Sequence, residues 1–297
     1  MKNRIPKINN TELKIVASAG AVHYGNGYFF KPIKLDHFSA ASTKTLTFDL
    51  RRGNFRWHKP WETIKPINDR GEVDYFNYTG FANAVGLSNV GLPGWMREYY
   101  PLIKTPQKII ISLASGKLEE LLKMVDMTNP LDALAVEPNL TCPNDGACMD
   151  NWMVDDEAFI EAIQNIQSNS LHPVVLKLSA QQDYLEIAKR LKDIIAAVSI
   201  NSVPWNIAFP GKASPLAKFG GGGVSGKTAR RITWPMAFSI SEIVDVPVIV
   251  PGIWNQSDIK VIKDMDRWNL VPSVGSSSIP PPFTKALKII KKAIRPQ

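Results

Sequence analysis

The chain has 297 residues, of which 44% are hydrophobic and 21% charged, with a formal net charge of +8 and two cysteines, Cys142 and Cys148. This suits a globular protein of one large domain and excludes a disulfide framework, and a C-x5-C pair with no His or Cys cluster beside it makes a poor zinc site. No stretch approaches the roughly 18 uninterrupted apolar residues of a membrane span and residues 1–7 lack an apolar signal core, so a cytoplasmic protein is expected.

Along the chain, short apolar runs at 13–17, 39–46, 108–113, 132–136, 173–178, 196–200, 246–250 and 270–274 predict eight strands. Most are separated by helical patterns. Ser115 is placed to cap a helix carrying Leu118, Leu121, Leu122 and Val125. Asp183 with Glu186 reads as a capping box before Ile187, Leu191 and Ile194, and Ser257 takes the capping place before Val261, Ile262 and Met265. The first two units are irregular, with residues 24–38 and 51–80 reading as long loops rich in aromatics, Pro and Gly. A final helix sets Phe283, Leu287, Ile290 and Ile294 opposite Lys285, Lys288, Lys291, Lys292 and Arg295. A solvated helix face accounts for those charges better than a nucleic-acid surface, because the other basic residues are dispersed. Strands alternating with amphipathic helices predict parallel β/α units, and eight of them predict a (β/α)8 TIM barrel forming a single domain over residues 1–297.

In such a barrel the chemistry sits on the loops after the strands. Strand four runs into Asn139-Leu140-Thr141-Cys142-Pro143-Asn144, which places one thiol between two carboxamides. A thiol that has lost its proton can act as a base, and flanking amides can grip a small polar ring. A structural turn with a buried thiol is the bland alternative. Lys177 lies in the middle of strand five, where a buried ammonium needs a partner such as an anionic cofactor. The glycine run before Thr228 (Gly220 to Gly223, then Gly226) reads as a phosphate-binding loop or a flexible connection, and Gly275-Ser276 after strand eight as a second phosphate contact.

Several further segments occur in a fixed order: Ser18-Ala19-Gly20; Thr43-Lys44-Thr45-Leu46-Thr47 followed by Arg52-Gly53-Asn54; Asn83-Ala84-Val85-Gly86-Leu87-Ser88-Asn89; then Asn139 to Asn144, Lys177, Ile200-Asn201-Ser202 and Gly222 to Gly226. From about residue 18 to residue 278 the chain resembles the class 1 dihydroorotate dehydrogenases, flavin enzymes built on a (β/α)8 barrel. The resemblance implies oxidation of dihydroorotate to orotate in pyrimidine biosynthesis, with FMN as cofactor and no metal. It gives Cys142 the role of the base that takes the C5 proton. Substrate binding falls to Lys44, Asn83, Gly86, Leu87, Asn139, Asn144, Asn201 and Ser202. FMN binding falls to Ala19, Gly20, Lys44, Asn139, Lys177, Gly223, Ser225, Gly226, Gly252, Gly275 and Ser276. The resemblance also implies either a homodimer or a complex with an iron–sulfur flavoprotein subunit that takes the electrons.

One segment departs from that pattern. After strand seven the family carries a Gly-x-Gly-Gly turn, where this chain has Val250-Pro251-Gly252-Ile253, and Pro251 removes an amide donor. Two other readings compete. A tRNA dihydrouridine synthase is also an FMN barrel with an Asn-x-x-Cys-Pro loop, but it calls for a histidine after strand six and an added RNA-binding domain. A non-catalytic barrel that binds a pyrimidine or a partner subunit would explain the altered strand-seven loop.

Overall fold

The computed structural model describes residues 5–25, 34–56, 58–143 and 152–278. The eight expected strands are present at Val16–Ala17, Ala40–Ser42, Ile109–Leu113, Ala135–Pro138, Val175–Leu178, Ala197–Ile200, Val248–Val250 and Leu270–Val274, called strands one to eight below. They form one parallel sheet in the order 4-3-2-1-8-7-6-5. Strand four meets the start of strand five through a parallel bridge between Val136 and Val174, and Val136 N donates to Pro173 O at 2.9 Å. The sheet therefore closes into a (β/α)8 TIM barrel.

The barrel interior is layered by the two-residue period of a strand. Val16, Ala40, Ile110, Ala135, Val175, Ala197, Ile249 and Val271 form one apolar cluster, joined by Ile8 and Leu13. Ile8 belongs to the hairpin Lys7–Ile8/Thr11–Glu12 and Leu13 directly follows it, so the hairpin packs on this apolar layer. Two residues further along the strands, the same inward face becomes polar: Ser18, Ser42, Ser112, Glu137, Lys177, Ser199 and Ser273. Two residues further again come Gly20, Lys44, Asn139, Asn201 and Gly275. Thus an apolar plug supports a polar layer, and the strand ends above it carry the chemistry.

Helices Leu118–Thr128, Asp156–Asn169, Tyr184–Leu191, Arg230–Ile243 and Gln256–Asp264 pack in the outer ring. Asp183 caps its helix, accepting from Glu186 N, which is one half of the expected capping box. Two other caps differ from the sequence expectation. Ser115 Oγ accepts from Lys117 N, and the helix after it starts at Leu118 with Lys117 as N-cap, so Ser115 fixes the approaching turn. Ser257 lies inside its helix, where Asn255 and Asp258 form the capping box two residues earlier than the serine would allow.

The segment 51–80 is not wholly loop. Ile64–Ile67 and Gly80–Asn83 pair antiparallel, and Gly223–Gly226 and Val203–Pro204 extend them into a four-stranded sheet. The second half of the glycine run is therefore a strand. Close approach explains its composition, since a Cβ on Gly223 would lie 2.5 Å from Ser202 Oγ and one on Gly80 would lie 2.4 Å from Ser225 O. Among the described residues, no helix is long and apolar enough to cross a membrane. The expected final helix, Asn144 and Cys148 lie outside the described residues.

Candidate active site

A cavity of about 310 Å³ opens between the barrel's strand ends and the four-stranded sheet. Its barrel side is lined by Ser18, Ala19, Gly20, Lys44, Asn139, Cys142, Lys177, Asn201, Ser202, Gly252, Gly275 and Ser276. Its sheet side is lined by Ile64, Phe81, Asn83, Val224, Ser225 and Gly226. The alternation of strand 80–83 continues past its end, so Phe81, Asn83, Val85 and Leu87 all reach the cavity. Cys142 is 6% exposed, and its sulfur is in no disulfide among the described residues.

Two of the residues expected in the site stand behind it. Gly86 does not line the cavity; its φ of +67° makes the turn that brings Leu87 in, and a Cβ there would lie 2.8 Å from Asn54 Nδ2. Gly223 also lies off the cavity wall, where its carbonyl accepts from Asn83 Nδ2 at 3.3 Å.

The carboxamides form a connected set. Asn139 Nδ2 donates to Thr45 Oγ1 at 2.9 Å, and Thr45 Oγ1 lies 3.0 Å from Ser112 Oγ. Asn201 Nδ2 donates to Asn139 Oδ1 at 2.9 Å and to Thr141 O at 2.8 Å, while Ser202 N donates to Asn201 Oδ1 at 3.0 Å. Both amide hydrogens of Asn201 are thus directed at protein atoms, which locks the orientation of Asn139 next to Cys142. Thr45 entered the sequence reading only within the segment from Thr43 to Thr47 and was given no role there.

Lys177 has the partner that its burial was expected to require. Its partner is a protein carboxylate, because Nζ donates to Glu137 Oε1 at 2.9 Å with both side chains almost fully buried. Glu137 was missed in the sequence. The signal was a carboxylate two residues after Ala135, hence on the barrel's inward face at the level of Lys177.

The other lysine differs. Burial holds the Lys44 ammonium down at about 8, with proximity to Cys142 acting in the opposite direction. Beside it His23 is pushed down to about 4, first by burial and then by the Lys44 charge. The Lys44 backbone amide also donates to His23 O at 2.7 Å. Between pH 6.5 and about 4 the unfolded chain binds a proton at this position that the folded chain refuses, so stability present above pH 6.5 is lost as the pH falls through that window. His23→Gln is expected to flatten the acid limb of a Tm-versus-pH curve. An unchanged limb would place the acid sensitivity elsewhere.

The strand-seven loop is held from behind. Trp234 Nε1 donates to Pro251 O at 2.9 Å, and Arg230 Nε donates to Gly252 O at 2.8 Å. Arg230 also pairs with Asp258, whose carboxylate accepts from Trp254 N and Asn255 N at 2.7 Å each. At Gly252 φ is +79° and a Cβ would lie 2.9 Å from Gly226 O. Side-chain contacts from helix 230–243 therefore fix a turn for which the resemblance implied extra glycines, and Gly252 is the point where backbones meet.

The family profile described as dihydroorotate dehydrogenase matches residues 6–259. The chain is 28% identical over 253 residues to the catalytic subunit of dihydroorotate dehydrogenase B (NAD(+)) from Caldicellulosiruptor saccharolyticus, covering 82% of this chain and 77% of that one. It is 26% identical over 250 residues to the protein of the same description from Geotalea uraniireducens, with the same coverage, 82% and 77%. Among solved structures, the ligand-free DHODH from Eimeria tenella superposes with a TM-score of 0.64 at 14% identity, over 95% of this chain and 83% of that chain. That last likeness concerns the fold.

Proposed function

The chain belongs to the dihydroorotate dehydrogenase family, and from that premise we propose that the cavity oxidises dihydroorotate to orotate in pyrimidine biosynthesis. The observation that carries this reading is one cavity uniting the Cys142 thiol, the Asn83, Asn139 and Asn201 carboxamides and two lysines. A pyrimidine dione with a carboxylate presents amide edges and one negative charge. Carboxamides match the edges and Lys44 matches the charge.

The enzymes of this family are FMN-dependent flavoproteins, and the residues present fit that group. Gly226, Gly252 and Gly275 converge at one end of the cavity, where a Cβ on Gly275 would lie 3.1 Å from Ser18 Cβ. Bare backbone at such a point suits one phosphate. Ala19, Gly20, Lys44, Asn139, Lys177, Ser225 and Ser276 complete the holding set. When bound, FMN supplies the acceptor for the hydride that leaves C6 of the substrate.

The chain's own residues do the rest. Cys142, as thiolate, takes the C5 proton while the C5–C6 bond becomes double. Asn139, fixed by Asn201 and Thr45, holds the ring against that sulfur. Lys44 sets a positive charge beside the thiol, which favours the thiolate, and beside the substrate carboxylate. Phe81, Val85, Leu87 and Val224 exclude water from the reacting face.

The finer assignment is to class 1, type B, in which electrons leave through a second, iron–sulfur flavoprotein subunit. The curated relatives named above are catalytic subunits of that type. With two cysteines in the sequence, one of them in the cavity, the chain cannot supply four thiolates for a cluster of its own. The dihydrouridine synthase reading finds no support at strand six, which ends in Ile200, Asn201 and Ser202 with no histidine.

Protein as purified should be yellow and release a flavin that co-migrates with FMN. Anaerobic addition of dihydroorotate should then bleach the flavin absorbance, and dihydrouridine should not. Recovery of FAD, or bleaching by neither compound, would dismiss the assignment.

A further inference from the structure

We propose that Glu137 is a positioning residue of this site, one that fixes Lys177 at the cavity floor and balances its charge, so that the field on a bound flavin is set by the pair. The inference rests on the flavin reading above. Glu137 does not line the cavity, whereas Lys177 does. The glutamate sits in the polar layer of the barrel interior, two residues above Ala135 of the apolar plug. Its side chain is 2% exposed and that of Lys177 is 7% exposed.

The carboxylate is held on both oxygens. Oε1 accepts from Lys177 Nζ at 2.9 Å and Oε2 from Ser199 Oγ at 2.8 Å, with Ser42 Oγ 3.5 Å from Oε2. Ser199 is also the register partner of Lys177 across strands five and six. Strands two, four, five and six thus converge on one carboxylate, which leaves the ammonium little freedom of direction. A lysine in a barrel wall with no counter-charge would leave a bare cation in a dry interior. With Glu137 in place the pair is neutral as a whole, and the cavity receives its dipole.

Charge arithmetic gives a test that a purely structural carboxylate would not pass. Reduced flavin is more negative than oxidised flavin, so the two-electron potential of bound FMN reports the local field. Glu137→Gln leaves an unbalanced ammonium and should move that potential upward. Lys177→Met leaves an unbalanced carboxylate, should move it downward, and should weaken FMN binding about tenfold or more. The double variant is neutral, like the wild-type pair, and its potential should return toward the wild-type value. Replacing both members of a buried ion pair is better tolerated than replacing one, so the double variant also serves where a single variant fails to fold.

The measurements are dye-equilibrated potentials and FMN titrations of the four apoproteins, with thermal unfolding alongside. A double variant that stays at the Lys177→Met potential would mean that the lysine acts alone and would overturn the proposal. So would a Glu137→Gln protein that loses thermal stability while its potential stands still. Failure of the wild-type apoprotein to take up FMN would instead remove the flavin reading on which the proposal stands.

Discussion

Cys142→Ala is expected to slow reduction of bound flavin by dihydroorotate by about 10²–10⁴-fold, the usual loss when a general base is removed, while leaving FMN and orotate binding near the parent values. The thiol lies in the cavity wall, 6% exposed, next to the fixed Asn139 carboxamide. Removing its sulfur deletes a few atoms from the lining and leaves the amide set intact, so binding and proton transfer should separate cleanly. Cys142→Ser should regain rate only at high pH, since a hydroxyl is a far weaker acid than a thiol. Cys148→Ala should remain within a few-fold of the parent. Anaerobic stopped-flow with the three variants decides the matter, and a dispensable Cys142 beside an essential Cys148 would refute the mechanism.

The barrel could be read from the sequence because its eight strands are short apolar runs between amphipathic helices, and each run falls on an observed strand. The four-stranded sheet could not. Ile64–Ile67 contains Pro66, Gly80–Asn83 and Gly223–Gly226 begin on glycine, and the pairing that joins the sheet's two halves links partners some 140 residues apart, so local strand propensity gives little sign of it. The cavity lining was legible at the strand ends, as at Lys44, Asn139, Cys142, Asn201 and Gly275, all of which line it. It was least legible in the polar layer below. Glu137 lies between Val136 and Pro138 and looks like an interruption of a strand until Lys177 is placed beside it. A pairing between residues 40 positions apart has no local trace, although the two-residue period puts both on the inward face. The strand-seven loop shows the converse. Its missing glycines marked a departure from the family, yet the contacts that replace them come from Arg230, Trp234 and Asp258, which no turn pattern in the loop itself could announce.

Lys44→Met is expected to make the apoprotein more stable and the enzyme nearly inactive. Burial lowers the Lys44 ammonium from 10.5 to about 8 in the folded chain. The difference of about 2.5 units, at 1.36 kcal/mol per unit, is an unfavourable term of up to roughly 3 kcal/mol at neutral pH, an upper figure because the side chain borders the cavity. The sign follows from proton counting. Between pH 8 and 10.5 the unfolded chain holds a proton here that the folded chain has released, so wild-type stability should rise with pH across that window, and the methionine variant should lack this rise. On the function proposed above the charge works the other way, since the cation that burdens folding is the one assigned to the substrate carboxylate and to the Cys142 thiolate. Losing a charge-assisted contact should weaken dihydroorotate binding by roughly 10–100-fold, and flavin reduction should slow further as the thiolate loses its cation. Denaturant unfolding of the apoprotein at pH 7 and pH 10, with orotate titration of the FMN-loaded protein, separates the two effects. A variant less stable than the parent at pH 7, or one that binds orotate as tightly, would show that Lys44 is not the strained cation of this site.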